Sequence, residues 1–400
     1  MLTTHNFVIF SLSRWNLELG SNIRDISIEL ARSHNVLYID VPLKRKERWF
    51  KKNLPAVREV EQRIKQNQKL VQISPRLWHY ITDEMLESVN NLSSSFLFDL
   101  LNKVNNKRFS RAIQQAVKEA GFSHYILVND NDIYNGFYLK HMLEPSLYLY
   151  YLRDRLPAME YWKRHSSRLE PDLIRTSDGV IANSQYLADY AKQFNSYSYY
   201  VGQGCDISHF LRVPEKQEGD ELSKVPHPRV GYIGALNSER LDIPLLFELA
   251  NRMKDFNFVL VGQEDEGFLK SNLHMLDNVF FLGRKDFSEL PALLYGFDVA
   301  INPQRVNEIT VGNYPRKVDE YLAAGRPVVA TRTPAMKPFE DHVYLANDAS
   351  DYERLVREAI SEDSDFRGQG RRSLAAGHTW GNNVSEIMNA IGHITHEKQP

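Results

Sequence analysis

The sequence predicts two parallel, doubly wound α/β domains. Three observations carry that expectation. Runs of β-branched or aromatic residues alternate with helical patterns along most of the chain, which is the order of a parallel sheet with helices between its strands. Several runs, such as FVLVG at Phe258–Gly262 and RPVVAT at Arg326–Thr331, are apolar throughout, as strands covered on both faces are. And 400 residues exceed one comfortable core, so the chain divides into two or three domains.

The second half shows the alternation most clearly. Strands are expected at Arg229–Leu236, Asn257–Gly262, Val279–Gly283, Asp298–Asn302 and Pro327–Thr331. Helices are expected at Asp242–Lys254, Ser288–Tyr295, Pro315–Ala324 and Asp351–Ser361, and an amphipathic helix at Asn383–Ile394. In the first half, Asn6–Ser13, Asn35–Pro42, Lys69–Pro75, His124–Asp130, Leu147–Asp154 and Gly179–Ser184 read as strands, and Asn22–Ser33 and Ser93–Ala120 as helices. Tyr-rich runs at Tyr148–Tyr151 and Tyr197–Tyr200 suit half-buried strands. The segment 211–228 carries Pro214, Pro226 and Pro228 and no periodicity, so it reads as a linker. The domains are then 1–210 and 229–380, followed by a helix and tail at 381–400.

Composition excludes several classes of function. Charged residues are 25% and the formal net charge is -2, so no global basic field exists for nucleic acid. The single cysteine, Cys205, cannot form an intrachain disulfide and suits a reducing, cytoplasmic compartment. The N-terminal apolar run is only Phe7–Phe10, too short for a signal peptide or a membrane span. The 13 histidines show no HExxH or paired-ligand spacing, so no metal is expected. Gly202–Gly204 reads GQG, which is no dinucleotide fingerprint, and neither a GxxxxGK[ST] loop nor a GxSxG elbow occurs.

The stretch Asn302–Thr331 holds the densest chemistry. It ends a strand, crosses a polar loop, begins a helix at Pro315 and returns through Gly325 to another strand. Ligands of α/β sheets sit where strand carboxyl ends meet helix amino ends. Pro suits the first helical position because its missing N–H would be unpaired there. Arg316 and Lys317 in the first turn oppose the helix dipole unless an anion binds. Glu320 lies three residues beyond Lys317 on the same face, where a carboxylate can accept both hydroxyls of a ribose. An exposed Lys317–Glu320 ion pair on a surface helix would account for the same residues.

YPRKVDEYLAAGRPVVAT (Tyr314–Thr331) resembles the signature of the retaining nucleotide-sugar glycosyltransferases of family 4, which have the GT-B fold. The resemblance extends through YIGAL (Tyr232–Leu236), LVGQ (Leu260–Gln263), FLGRK (Phe281–Lys285), SDGVIANSQYLADY (Ser177–Tyr190), GQGCDISHF (Gly202–Phe210) and HTWGNNVSEI (His378–Ile387). It implies two Rossmann-like domains facing a cleft and a C-terminal helix crossing back to the first. It also implies a hexosyl transfer from a nucleotide diphosphate sugar to a lipid-linked or polysaccharide acceptor. By this resemblance Glu320 binds the donor ribose, and Thr310, Val311, Gly312, Asn313, Tyr314 and Lys317 hold the diphosphate. Gly234 and Gly262 end strands at the donor, Arg284 faces the base, and Arg240 is the basic candidate after the first strand of that domain. Two departures stand out. Gly312 occupies the position of the family's first Glu, with Glu308 out of register, and Arg240 stands where the family has an Arg and a Lys. Together with VLYIDVP (Val36–Pro42), they point to a branch similar to teichuronic-acid and exopolysaccharide transferases.

In the first domain, Ser13-Arg14-Trp15-Asn16 follows the first strand. Arg14 could reach a donor phosphate, and Trp15 could either stack on a sugar or pack internally. Asp130 and Asp154 end strands and are candidates for the group that interacts with the acceptor hydroxyl, Asp154 leading; helix capping is the other use of each. Residues 44–69 carry ten Lys and Arg against three Glu, a local charge of +7, with Trp49 and Phe50 embedded. That pattern suits either a solvated helix face or an anionic inner-leaflet surface. Two other functions share this sequence: a GT-B nucleotide-sugar epimerase, and a sugar-nucleotide-binding partner without turnover.

Overall fold

The structure is a computed structural model, and it describes residues 4–16, 21–212 and 221–397. Of the expected linker 211–228, residues 213–220 lie outside the described residues. The chain divides into two compact units, Met1–Gly202 together with Asn383–Pro400, and Gln203–Asn382.

The first unit runs β1 (Asn6–Ser11), α1 (Asn22–Leu30), β2 (Asn35–Asp40), α2 (Arg45–Phe50), α3 (Pro55–Lys65), β3 (Leu70–Ser74), β4 (Leu77–Tyr80), α4 (Ser95–Glu119), β5 (Ile126–Asp130), α5 (Leu139–Leu143), β6 (Leu147–Leu152), α6 (Glu160–Thr176), β7 (Gly179–Ala182), α7 (Gln185–Lys192) and β8 (Ser198–Tyr200). Its eight strands lie in the order β3-β4-β2-β1-β5-β6-β7-β8. All pairings are parallel except β3 with β4, a hairpin turned at Pro75-Arg76. LYLYYL of β6 is buried at every position, and Phe10, Phe98, Phe109, Tyr148 and Tyr150 fill the core over it.

The second unit runs β9 (Arg229–Ile233), α8 (Ile243–Arg252), β10 (Asn257–Val261), α9 (Glu266–Leu269), β11 (Val279–Gly283), α10 (Leu290–Tyr295), β12 (Val299–Asn302), α11 (Arg316–Ala323), β13 (Val328–Thr331), β14 (Tyr344–Ala346), α12 (Ala349–Ser361), α13 (Asp365–Gly377) and α14 (Trp380–Glu397). Its sheet is parallel in the order β11-β10-β9-β12-β13-β14. Alternate residues supply two cores. Val259, Val261, Ala300, Val328 and Ala330 pack with Val318 and Leu322 of α11. Val230, Phe258, Leu260, Val299 and Ile301 pack with α8 and α12. Each Val, Leu, Ile or Phe among them contributes about 1.5–3 kcal/mol by leaving water. That double covering explains why these strands are apolar throughout.

Helix α14 starts in the second unit and, from Asn383, belongs to the first. Asn383 Nδ2 donates to the carbonyls of Val201 (2.8 Å) and Gly202 (3.0 Å). Among the described residues, no helix is long and apolar enough to cross a membrane.

Candidate functional site

The site in the second unit begins with two glycines. Gly234 follows β9 and Gly262 follows β10, with φ of 151° and 152°, a backbone region that side chains rarely adopt. Backbone leaves no space for a side chain at Gly262, and one at Gly234 would displace the Lys317 ammonium. A Cβ on Gly262 would stand 1.9 Å from the Gly234 carbonyl oxygen, and one on Gly234 2.6 Å from Lys317 Nζ. The two strand ends therefore form a bare backbone shelf with Lys317 over it. Ser238 ties the loop beyond Gly234 to Asp265, through its N–H at 2.7 Å and its hydroxyl at 2.8 Å.

Helix α11 supplies the charge. Pro315 is the residue before the helix rather than its first residue, and no side chain caps that end. The first-turn N–H groups so lack a side-chain acceptor, the condition in which a helix end attracts an anion. Lys317 Nζ donates to Tyr232 Oη at 2.5 Å and lies 4.5 Å from that ring's centre. Glu320 is one turn further on. Among the described residues its carboxylate makes no hydrogen bond or ion pair. Burial raises its pKa, with Arg316 and Lys317 pulling the other way. The alternative, a Lys317–Glu320 ion pair, does not form among the described residues: the lysine reaches the glycine shelf and the carboxylate stays uncommitted.

The loop before α11 is built around Asn307. Its Oδ1 accepts the N–H groups of Ile309 (2.9 Å) and Thr310 (3.1 Å). Thr310, fully buried, donates its hydroxyl to the Arg305 carbonyl and accepts from the Asn307 N–H at 3.2 Å. Thr310 thus shapes the loop, and its hydroxyl is spent there. Val311, Gly312 and Asn313 form the turn that follows, Asn313 N–H bonding the Thr310 carbonyl at 3.1 Å. Tyr314 is buried, its Oη 3.1 Å from His378 Nδ1. That nitrogen is also 2.7 Å from Asp319 Oδ1. Asp319 is fully buried with Oδ2 unpartnered, and burial raises its pKa against the pull of His378. Sequence reasoning missed this Tyr314–His378–Asp319 cluster, since 59 residues separate the histidine from the carboxylate. Arg240 and Arg284 are exposed, and neither makes an ion pair among the described residues.

In the first unit, strand carboxyl ends again gather polar residues. Arg14 Nη1 pairs with Asp40 Oδ2 at 3.1 Å, and its Nη2 donates to the Val41 carbonyl at 3.0 Å. Asp40 also accepts the Trp15 N–H at 3.0 Å and lies 3.2 Å from His79 Nε2. Burial pushes the Asp40 acid up, but His79, Arg14 and the Trp15 N–H outweigh it and hold it below the usual carboxylate range. Arg14 is therefore committed to a buried carboxylate rather than free for a donor phosphate. Trp15 is buried edge-on against Tyr38, with ring centres 5.2 Å apart, so packing and not sugar stacking is its role.

Asp130 and Asp154 meet at one guanidinium. Arg153 Nε donates to Asp130 Oδ1 at 2.8 Å and Nη1 to Asp154 Oδ2 at 3.0 Å. Asp130 is fully buried and also takes the Ser11 hydroxyl at 2.5 Å, which leaves it a counter-ion without an open face. Asp154 keeps 21% of its side chain exposed. Asn131, at φ 54°, accepts the N–H groups of Arg153 (2.7 Å) and Asp154 (3.0 Å) and so sets the carboxylate's position.

The basic segment folds as α2 and α3. Val57 and Val60 pack on Leu43 and Ile81, while Arg48 pairs with Glu61 at 2.6 Å and Arg45 with Glu87 at 3.0 Å. Trp49 and Phe50 are 55% and 77% exposed, with Leu54 beside them. Lys46, Lys51, Lys52 and Lys65 make no ion pair among the described residues. Among those residues, no group of three or more His, Cys, Asp or Glu is placed to hold a metal ion.

Residues 227–362 match the family model of the glycosyl transferases group 1. The second unit is a domain of that family, and the chain carries its GT-B fold. A curated relative is the putative teichuronic acid biosynthesis glycosyltransferase TuaH of Bacillus subtilis, 27% identical over 250 residues, 59% of this chain and 62% of its own length. The chain thus spans about three-fifths of that relative. Sucrose-phosphate synthase of Thermosynechococcus elongatus shares the fold with a TM-score of 0.70 at 14% identity, over 98% of this chain and 100% of that one. Anabaena HepE in complex with UDP gives 0.68 at 16% identity, over the same shares.

Proposed function

We propose that this chain is a glycosyltransferase that moves a sugar from a nucleoside diphosphate sugar to a hydroxyl of a glycan or glycolipid acceptor. The observation that carries the reading is the pairing of a bare glycine shelf with the start of α11. Lys317 lies over Gly234, no side chain caps the helix, and Glu320 is uncommitted one turn away. Diphosphate oxygens fit against the helix N-terminus and Lys317, and ribose hydroxyls donate to Glu320. The bond from the anomeric carbon to the β-phosphate oxygen breaks and one to the acceptor oxygen forms. The acceptor proton passes to a carboxylate, for which Asp154 is the first unit's exposed candidate. Negative charge grows on the departing diphosphate, where fixed dipoles and a cation lower the barrier most. Arg284, just beyond β11, and Arg240, in the loop beyond β9, would serve as further cations. The family of the second unit and the UDP-bound structural neighbour support a nucleotide donor. The TuaH likeness supports cell-surface polysaccharide assembly as the setting.

The test is turnover. Purified protein is incubated with each of UDP-, GDP-, ADP- and dTDP-sugars, with and without a lipid-linked glycan fraction. Acceptor-dependent release of nucleoside diphosphate supports transfer. Conversion of the donor to an epimer without acceptor identifies an epimerase instead, and donor binding without any turnover identifies an inactive partner.

The acceptor reading extends to the basic helices. Exposed Trp49, Phe50 and Leu54 among the lysines of α2, α3 and the link between them suit an anionic bilayer, each cation near the surface contributing about 1 kcal/mol. Flotation with phosphatidylglycerol liposomes should recover the protein. Equal recovery of a Lys46, Lys51, Lys52 and Lys65 to Gln variant would remove this docking surface.

A further inference from the structure

Beside the carboxyl ends of β1 and β2 lies a pocket of about 190 Å³ that reaches the start of α2 at Lys44 and Glu47. Its lining includes Ser11, Lys44, Asn90, Tyr134, Asn135 and Trp162. The place is significant in this sheet. The chain leaves β1 for β2 on one side and returns to β5 on the other, so β1 and β5 flank the point where strand order reverses. Crevices at such points are where open α/β sheets take ligands.

The chemistry of the lining is specific. The Asn90 amide nitrogen is buried without a hydrogen-bond partner. An orphaned buried donor is destabilising, and a ligand acceptor would remove that cost. Asn135 is held the opposite way round. Its N–H and its Nδ2 donate to Asp132 Oδ1 (3.0 Å) and Oδ2 (2.7 Å), which turns its own Oδ1 away as an acceptor without a donor among the described residues. One orphan donor and one open acceptor in the same pocket match hydroxyl groups, which give and take hydrogen bonds. Tyr134 and Trp162 add an aromatic wall, ring centres 5.1 Å apart, locked by the Tyr134 hydroxyl on the Trp162 carbonyl at 2.8 Å.

Charge in the lining is balanced. Arg14 is matched by Asp40, and Glu87 by Arg45 and Arg108 at 3.0 and 2.8 Å. Lys44 and Glu47 both line the pocket, so neither sign dominates. The pocket's volume equals that of roughly six liquid waters, the size class of one monosaccharide.

We infer that this pocket binds a single uncharged pyranose unit of the acceptor, with Asn90 and Asn135 on its hydroxyls and Trp162 against its apolar face. The inference rests on the sugar-transfer reading and names the acceptor's chemistry within it. Titration calorimetry with the methyl glycosides of glucose, galactose, mannose, N-acetylglucosamine and glucuronic acid, and with inorganic phosphate, tests it. At least one neutral glycoside should bind the full-length protein. Asn90→Ala should weaken that binding about tenfold, the equivalent of one neutral hydrogen bond, and Trp162→Ala should weaken it more than Trp162→Phe. Unchanged glycoside binding in Asn90→Ala, binding of glucuronide or phosphate alone, or no glycoside binding at all would each overturn the inference. Thermal shift by UDP-sugars on the same proteins separates the two levels. Donor stabilisation with no glycoside binding rejects the pocket and keeps the transferase, whereas glycoside binding with no nucleotide-sugar effect keeps the pocket and rejects the donor site.

Discussion

Lys317 and Tyr232 join at 2.5 Å across the second unit's sheet, the ammonium of α11 on the phenol of β9. The bond holds a cation directly above Gly234, where any side chain would strike it. A lysine in a helix's first turn opposes the helix dipole. Here two positive features, the helix end and the ammonium, converge on one bare strand end, which suits an anion and little else.

Lys317→Met should therefore cost turnover more than stability. Tyr232 keeps its core position with the ammonium gone, so the melting temperature should fall by only a few degrees. Loss of a positioned charge beside a leaving group lowers kcat about 10²–10³-fold, as removal of a single oxyanion donor does. Steady-state assays with the preferred donor check this, and a change under about threefold would remove Lys317 from the site.

Glu320→Gln and Glu320→Ala separate charge from contact. In the proposed donor site the carboxylate accepts two ribose hydroxyls, so the wild type should prefer UDP over its 2′-deoxy analogue by roughly tenfold. Alanine should erase that preference, and glutamine, with one acceptor oxygen, should keep part of it. Competition binding with the two nucleotides reads the ratio directly.

Arg14→Ala should behave as a folding variant. It strips the buried Asp40 of one cation and leaves His79 and the Trp15 N–H. Removing one partner of a buried pair costs about 3–5 kcal/mol. Because Asp40 sits below its usual pKa, its contribution is present above the unfolded carboxylate pKa and lost as pH falls through the folded one. The Arg14→Ala deficit should accordingly shrink in acid melts. Donor KM should stay at the wild-type value.

Glu170 gives a pH effect of the opposite sense. It is fully buried against Tyr150 Oη at 3.3 Å and Tyr190 Oη at 3.1 Å, and burial raises its pKa to about 7. The folded state keeps the proton that the unfolded state releases near the ordinary carboxylate pKa. Stability is then full below that value and declines as pH rises toward about 7. Glu170→Gln retains an acceptor for the tyrosines and removes the charge. It should melt above the wild type at pH 8 and close to it at pH 4.5, with a difference on the order of 3 kcal/mol at the higher pH.

Legibility in the sequence followed local signals. The stretch from β12 through α11 to β13 was readable because Pro315 and Gly325 punctuate it and its strands are apolar on both faces. Pro315 stands one position earlier in the helix than expected, a difference of capping geometry. Helix α6 carries no clear sequence signal, because its buried face mixes His165, Ser166 and Glu170 with leucines and Pro171 lies inside it. The α2 and α3 helices were obscured by charge. The antiparallel β3–β4 hairpin was half seen, since LWHY is too short to declare itself. Pairings remote in sequence were invisible: Arg14 with Asp40, Arg153 between Asp130 and Asp154, and His378 with Asp319. These decide which expected site residues are committed and which are open. The sequence puts Asp154 ahead of Asp130 and offers Arg14 to a donor phosphate, and burial leaves Asp154 as the accessible carboxylate.

The most direct test of the central claim is titration calorimetry of the intact protein with UDP-, GDP-, ADP- and dTDP-sugars, repeated on Glu320→Ala and Lys317→Met. The account predicts that at least one nucleotide sugar binds the wild type and that each substitution weakens it by tenfold or more while the protein stays folded. Binding of equal strength in wild type and both variants, or no binding of any nucleotide sugar, would contradict it.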